Sequence, residues 1–323
     1  MQQRFFYHSF PRRGLDHGDV NHKGLAVLTS IAKSGLLLTP ERTEWSEFLQ
    51  DGKRSKPVEV FQKRICFTEL AQHELEAHAK VFGPFALEFS IENLRLLGAI
   101  PVFYMPPPGC EERALEGVAA ALISRLADIQ LLLTRLTDIA NLAQRTSNKA
   151  DSLQVTRNGI VVGTTRCSIG AAEDLLAVLS HEIQPPLQLL SAVRALGGFF
   201  YPTEGLAYTG ELAYYRQREW RIIANMVQRG VEVARDLVDD EKMTVCAIDA
   251  DFFECRMRFP TGEHRRIDQC KYISRVDGLS VLDWAHRIIV PDDVIEDAFN
   301  VVRHSGHGVK VVAASSLVAA EAT

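Results

Sequence analysis

The 323-residue sequence has no apolar run approaching the roughly 20 residues that a membrane-spanning helix needs. Its start, Met1 to Arg13, offers charge and aromatics but no apolar h-region and no small-residue cleavage site, so no secretory signal is expected. Cysteine is scarce and unpatterned. The six residues Cys66, Cys110, Cys167, Cys246, Cys255 and Cys270 lie apart without CxxC spacing, which excludes a disulfide framework and a zinc ribbon. A reducing cytoplasm is the expected setting. Positive charge is also not in excess: a net charge of -5 and a pI near 6.1 exclude a protein coated in basic charge for unspecific nucleic-acid binding. Local basic stretches exist, with Arg216, Arg218, Arg221 and Arg229 in one, and Arg256, Arg258, His264, Arg265, Arg266 and Lys271 in another. The second reads first as a solvated strand or loop face. No internal repeat and no compositionally biased tract is present. With 46% hydrophobic and 24% charged residues the chain is expected to fold throughout, as one large domain or two ordinary ones.

The first third alternates strand-like and helix-like runs. Arg4 to Phe10 is aromatic-rich and extended; from Asn21, read as an N-cap, apolar residues at helical spacing run to Gly35 at a C′ position. Arg64 to Thr68 is a short apolar strand, Glu69 to Val81 has helical composition, and Gly83-Pro84 stops it. Phe85 to Phe89 alternates as a strand does, Ser90 caps a short helix ending at Gly98, and Ile100 to Met105 is a further strand. Between Glu112 and Arg145 leucines and isoleucines recur at three- and four-residue steps, a long amphipathic helix or hairpin; a second helical segment, Ala171 to Leu190, is interrupted by Pro185-Pro186. Arg216 to Ile223 returns to a strand pattern, Val231 to Val238 reads as a helix, and the tail reads as strand Arg287 to Val290, a helix from Pro291-Asp292 to Val302, and strand Val309 to Ala313. The expected class is α+β, divided into 1–110, a helical insertion over 111–200, and 201–323.

Two runs carry chemistry. Tyr7-His8-Ser9 taken alone reads first as a hydrogen-bonded core histidine in an aromatic strand, although imidazole and hydroxyl side by side also suit a ribose diol. Arg218-Glu219-Trp220-Arg221 sets a carboxylate between two guanidiniums, which lowers its pKa; alternation puts Glu219 and Arg221 on one face and Arg218 and Trp220 on the other. A structural ion pair explains those charges equally well.

The runs Ile65-Cys66-Phe67-Thr68-Glu69, Phe82-Gly83-Pro84-Phe85-Ala86-Leu87 and Gly98-Ala99-Ile100-Pro101-Val102-Phe103-Tyr104, with Glu219-Trp220-Arg221 later, resemble the AbiGi abortive-infection (phage-resistance) proteins. More distantly, Tyr7-His8-Ser9, a helix ending in Ser34-Gly35-Leu36, then Phe67-Thr68 and a late glutamate resemble the DarT-like and diphtheria-toxin-like ADP-ribosyltransferases. That resemblance implies a split β-sheet core with a helical insertion, NAD+ as donor, no metal, and Glu219 as the catalytic carboxylate. It further implies His8, Ser9, Phe67, Thr68, Tyr104 and Arg221 as donor-binding residues. The implied function is a toxin or phage-defence effector acting on a macromolecule, nucleic acid before protein; the alternative is an inactive antitoxin or binding module. A protein partner is expected on the leucine stripe of the insertion, and no membrane.

Other constellations are set aside. His73 and His78 are five apart and lack the spacing of a zinc-binding HExxH helix; His181-Glu182 has no second histidine at ligand spacing; Gly159 to Gly163 lacks a phosphate-loop lysine. His304-Ser305-Gly306-His307-Gly308 reads as a turn.

Overall fold

The computed structural model describes residues 4–11, 19–45, 58–105, 153–157, 160–165, 200–202, 218–224, 227–228, 231–253, 256–258, 264–266 and 270–321, with isolated helical residues between 125 and 132 and at 177 and 196. The chain divides into two compact units: residues 1–43, 61–106 and 198–323 form one, residues 44–60 and 107–197 the other. Most of the expected helical segments Glu112 to Arg145 and Ala171 to Leu190 lie outside the described residues. Within the second unit an antiparallel hairpin, β7 (Leu153–Arg157) and β8 (Ile160–Thr165), carries an irregularity between Val155 and Thr156.

The first unit is α+β. It is built on a ten-stranded sheet whose main path contains β1 (Arg4–Phe10), β2 (Leu36–Trp45), β3 (Val58–Ala71) and β4 (Phe85–Phe89), followed in sequence by β13 (Arg235–Asp236), β16 (Lys271–Ile273), β19 (Arg287–Val290) and β20 (Lys310–Ala313). In space the order is β13-β16-β2-β3-β1-β4-β19-β20, and two further strands, β5 (Ile100–Pro101) and β10 (Glu219–Ile223), join through β3. Small two-stranded ribbons complete the set: β6 (Phe103–Met105) with β9 (Phe200–Pro202), β11 (Val227–Gln228) with β12 (Val231–Glu232), β14 (Arg256–Arg258) with β15 (His264–Arg266), and β17 (Arg275–Val276) with β18 (Leu279–Ser280).

Helices cover both faces of the main sheet. On one face α1 (Val20–Ser34) and α5 (Ile295–His304) bury Leu28, Ile31, Ala298 and Val302 against Phe6, Phe10, Phe85, Leu87, Phe89 and Ile288. On the other, α2 (Leu75–Phe82) and α6 (Ala314–Glu321) bring Leu75 and Leu317 to Phe5, Tyr7, Leu70, Ala86 and Ile289. Among the described residues the first unit also holds α3 (Ile91–Leu96), capped by the Ser90 hydroxyl on the Asn93 amide, and α4 (Asp239–Ile248). Because β4 is covered on both sides, all five of its residues are buried, Glu88 included. A carboxylate there must be paired, and it accepts from the Tyr7 hydroxyl at 2.8 Å and Arg287 Nη2 at 2.9 Å. Gly24 permits the close packing of α1 on β4, since a Cβ there would stand 2.0 Å from the Phe85 ring. Gly83, at φ +113°, does the same between the end of α2 and the backbone of Phe10-Pro11.

Three local expectations are corrected. The N-cap of α1 is Asp19, whose side chain accepts from the Asn21 and His22 amides, rather than Asn21. Residues 69–71, read as the start of a helix, stay extended because they pair with the beginning of β1, Arg4 opposite Ala71; a 3-10 turn, Gln72–Glu74, then leads into α2. Residues 231–238, read as a helix, form β12 and β13, and Arg235 pairs opposite Tyr272 of β16. The helix begins only at Asp239, where Asp239, Asp240 and Glu241 occupy the first turn and favour its positive end.

Candidate functional site

The site grows from β3, which has three neighbours in the sheet, β2, β1 and β10. A strand has two edges, so two of these neighbours share an edge in succession. β1 pairs with Thr68 to Ala71 and β10 with Arg64 to Thr68, so both meet at Thr68, opposite Tyr7 on one side and Glu219 on the other. Directly opposed residues share a face of the sheet. Tyr7, Ser9, Cys66, Thr68, Glu219 and Arg221 therefore lie on the face that α2 covers. Phe6, His8, Phe67 and Trp220 lie on the opposite face, where Phe6 and Trp220 meet edge-on with centroids 5.2 Å apart.

Glu219 is held by three groups. Its Oε1 accepts from Arg221 Nε at 2.7 Å and its Oε2 from the Tyr104 hydroxyl at 2.6 Å, while the Cys66 thiol supplies a third hydrogen bond. Tyr104 reaches it because the Val102 amide donates to the Glu219 carbonyl at 2.9 Å, extending the pairing of Ile100 and Pro101 with β10. Burial by itself would raise the pKa of Glu219, but the Arg221 charge and the donors from Arg221, Cys66 and Tyr104 outweigh it and hold the carboxyl below its ordinary value. Burial and the neighbouring Glu219 charge push the Cys66 thiol up to about 12, so it stays a protonated donor. Burial and Glu219 likewise raise Tyr104. Arg221, only 1% exposed, is balanced by Glu219 and, at longer range, by Glu41, which is itself bound by Arg64.

No family model, curated protein or solved structure matches this chain.

The residues expected at a donor site are distributed unevenly around this carboxylate. Thr68 and Tyr104 are brought to Glu219, and Ser9 lies on the same face one step along β1. His8 arrives from the opposite face: its Nδ1 lies 3.0 Å from the Cys66 carbonyl, just where the β1–β3 ladder ends. Cys66 is thus the joint of the site, with its carbonyl on His8 and its thiol on Glu219. Burial lowers the pKa of His8, so the ring is neutral and donates through Nδ1. Phe67 is fully buried in the core, edge-on to Phe89 and 5.7 Å from the His8 ring, so it backs His8 and presents no open ring face. Arg221 is the orienting partner of Glu219.

Arg218 is not beside Glu219. Its guanidinium pairs with Glu69 at 3.7 Å and Glu74 at 3.5 Å, so a single arginine, not two, flanks the carboxylate. Its backbone sits at φ +42°, a strained conformation for a long side chain, immediately before the carboxylate. Two participants were not read from the sequence. Cys66 stood inside the resembling run, and its position two residues from Thr68 was the available signal. His78 on α2 was weighed only as a zinc ligand; its Nδ1 is 3.2 Å from Ser9 Oγ, its ring stacks on Phe82 at 4.4 Å, and its Nε2 is buried with no hydrogen-bond partner. Among the described residues no group of histidine, cysteine and carboxylate side chains is placed to hold a metal ion. No helix among them is long and apolar enough to cross a membrane.

Proposed function

We propose that this chain is an NAD+-dependent ADP-ribosyltransferase, a toxin or phage-defence effector that modifies a macromolecule, nucleic acid before protein. The observation that carries the reading is the Cys66 joint, which ties an ionised, oriented carboxylate to a neutral histidine at the point where β1 and β10 part from β3. The residues present fit a ribose-bearing donor. An ionised carboxylate offers about four acceptor positions, and Arg221, Tyr104 and Cys66 account for three donors to Glu219. One remains for a ribose hydroxyl. NAD+ when bound supplies the ADP-ribosyl group, with nicotinamide leaving as positive charge develops on the ribose.

Glu219 then answers that charge from a fixed position, because Arg221 and Tyr104 already hold both of its oxygens and no reorganisation is needed. His8, neutral and anchored through Nδ1, keeps Nε2 for the donor. Tyr104 and Cys66 remain protonated and act as donors to Glu219 rather than as bases. The preference for nucleic acid comes from the resemblance to DarT-like enzymes. The expected protein partner on the insertion's leucine stripe and the cytoplasmic setting belong to the same reading.

The test is incubation with labelled NAD+ together with DNA, RNA and lysate protein. Label retained in one fraction, and lost with Glu219→Gln in a variant shown to be folded, supports the transferase. Absence of both label transfer and nicotinamide release overturns it. A second reading has its own observation: the Glu219 side chain is 13% exposed and closed in by its partners. That enclosure favours a catalytically inactive antitoxin or binding module, for which the same assay is silent while a partner protein still binds.

A further inference from the structure

His78 stands beside the candidate site with half of its ring unused. It lies on α2 three residues after Leu75, so both turn toward the sheet face that carries Ser9, Cys66, Thr68 and Glu219. Its Nδ1 is 3.2 Å from the Ser9 hydroxyl, and its ring stacks on Phe82 with centroids 4.4 Å apart. These two contacts fix the ring, so it cannot turn to find another partner. Its Nε2 is buried and has no hydrogen-bond partner. Leaving such an atom unpaired costs stability, and in native proteins these atoms are rare and tied to strain, to chemistry or to a bound group.

Burial, with His8 nearby, lowers the His78 pKa to about 4, and burial also lowers that of His8. Both rings are therefore neutral near neutral pH, which suits an uncharged ligand group and not a pyrophosphate. The contact with Ser9 works in either tautomer, because a hydroxyl both donates and accepts. When Ser9 donates to Nδ1, Nε2 carries the proton; when Nδ1 donates to Ser9, Nε2 is an acceptor. Nε2 can thus meet a hydroxyl or an amide without moving. Tyr7, Thr68 and Glu219 stand opposite one another on three successive strands, so β1, which carries Ser9, and β10, which carries Glu219, are two strand steps or roughly 10 Å apart. A nucleoside spans that interval, whereas a side-chain hydrogen bond does not.

We propose that His78 is a further ligand-contact residue whose Nε2 hydrogen-bonds an uncharged group of the bound nucleotide, a ribose hydroxyl or a carboxamide, while Ser9 holds the ring in place. The inference rests on the proposed function and deepens it by adding a specificity contact on α2. Calorimetric titrations of the full chain with NAD+, ADP-ribose and nicotinamide test it, each variant first shown to be folded by circular dichroism and thermal melting. His78→Asn puts an amide at the Nδ1 position and keeps the Ser9 contact but has nothing at Nε2; His78→Gln reaches the Nε2 position instead. The Asn variant should bind NAD+ about tenfold more weakly, and the Gln variant within about threefold of wild type. A matching loss for ADP-ribose assigns the group to a ribose, and a matching loss for nicotinamide assigns it to the carboxamide. An Asn variant as tight as wild type overturns the inference, because it leaves His78 as an anchor of α2 through Ser9. A wild-type chain that binds neither NAD+ nor ADP-ribose overturns the transferase reading and this inference with it. NAD+ binding that shows the contrast between the two variants, without label transfer or nicotinamide release, overturns the transferase reading alone and leaves the His78 contact standing.

Discussion

Replacing Glu219 by Gln does two things at once, and the geometry says how large the second is. The amide removes the charge on which the proposed chemistry depends, but it also removes the counter-ion of Arg221, whose side chain is 2% exposed. Breaking a buried pair by deleting one charge costs about 3–5 kcal/mol. Gln keeps a carbonyl for Arg221 Nε to donate to, while its amide N–H takes the place of Oε2 and donates to the Tyr104 hydroxyl oxygen instead of accepting from it, so we expect the low end, about 3 kcal/mol. Glu219→Ala loses both acceptors as well and should reach about 5 kcal/mol or more. Adding Arg221→Gln to Glu219→Gln removes the stranded cation and should recover about 1–3 kcal/mol without restoring activity. Urea denaturation at pH 7, with slopes compared between variants, reads all three values. The deficit is also pH-dependent in a fixed direction. The folded pKa of Glu219 is depressed, so its contribution is full above the ordinary carboxylate value and is lost as pH falls through the folded one. Wild type and Glu219→Gln should therefore converge in acid. A Glu219→Gln chain within about 0.5 kcal/mol of wild type at pH 7 would refute the ion-pair reasoning and show Arg221 compensated elsewhere.

Three further outcomes follow from the same geometry. His8→Ala should weaken NAD+ binding measured by calorimetry, and an affinity equal to wild type would return His8 to a core role beside Phe67. Burial, with His8 nearby, lowers the His78 pKa to about 4 from 6.5, so between those values the unfolded chain takes up a proton that the folded one refuses. Stability should fall by about 1.4 kcal/mol per pH unit, ~3 kcal/mol across the window, and His78→Phe, which keeps the stacking on Phe82, should flatten that slope in urea titrations at pH 7 and pH 4.5. Ile129 and Leu132, three apart on a helical stretch and 42% and 57% exposed, should lose a protein partner in pull-down when both become Ser, with NAD+ binding unchanged. Unfolding of that variant would make them core.

Much of the first unit was written locally. The aromatic alternation of Arg4 to Phe10, the five apolar-flanked residues Phe85 to Phe89, the Ser90 cap and Gly35 each act within a few residues, and each element formed where those signals stand. The shared face of Glu219 and Arg221 was equally local, since it follows from the two-residue period of any strand. What the tertiary structure decided was register. Residues 69–71 carried helical composition, yet pairing with Arg4 to Phe6 held them extended; residues 231–238 gave up a helix for a strand on β16. Register also set His8 and Glu219 on opposite faces, joined them through Cys66, and drew Arg218 away to Glu69 and Glu74. A side chain's own periodicity fixes which neighbours along the chain share its face, whereas its partner across the sheet is chosen by segments dozens to hundreds of residues away, which no local pattern encodes.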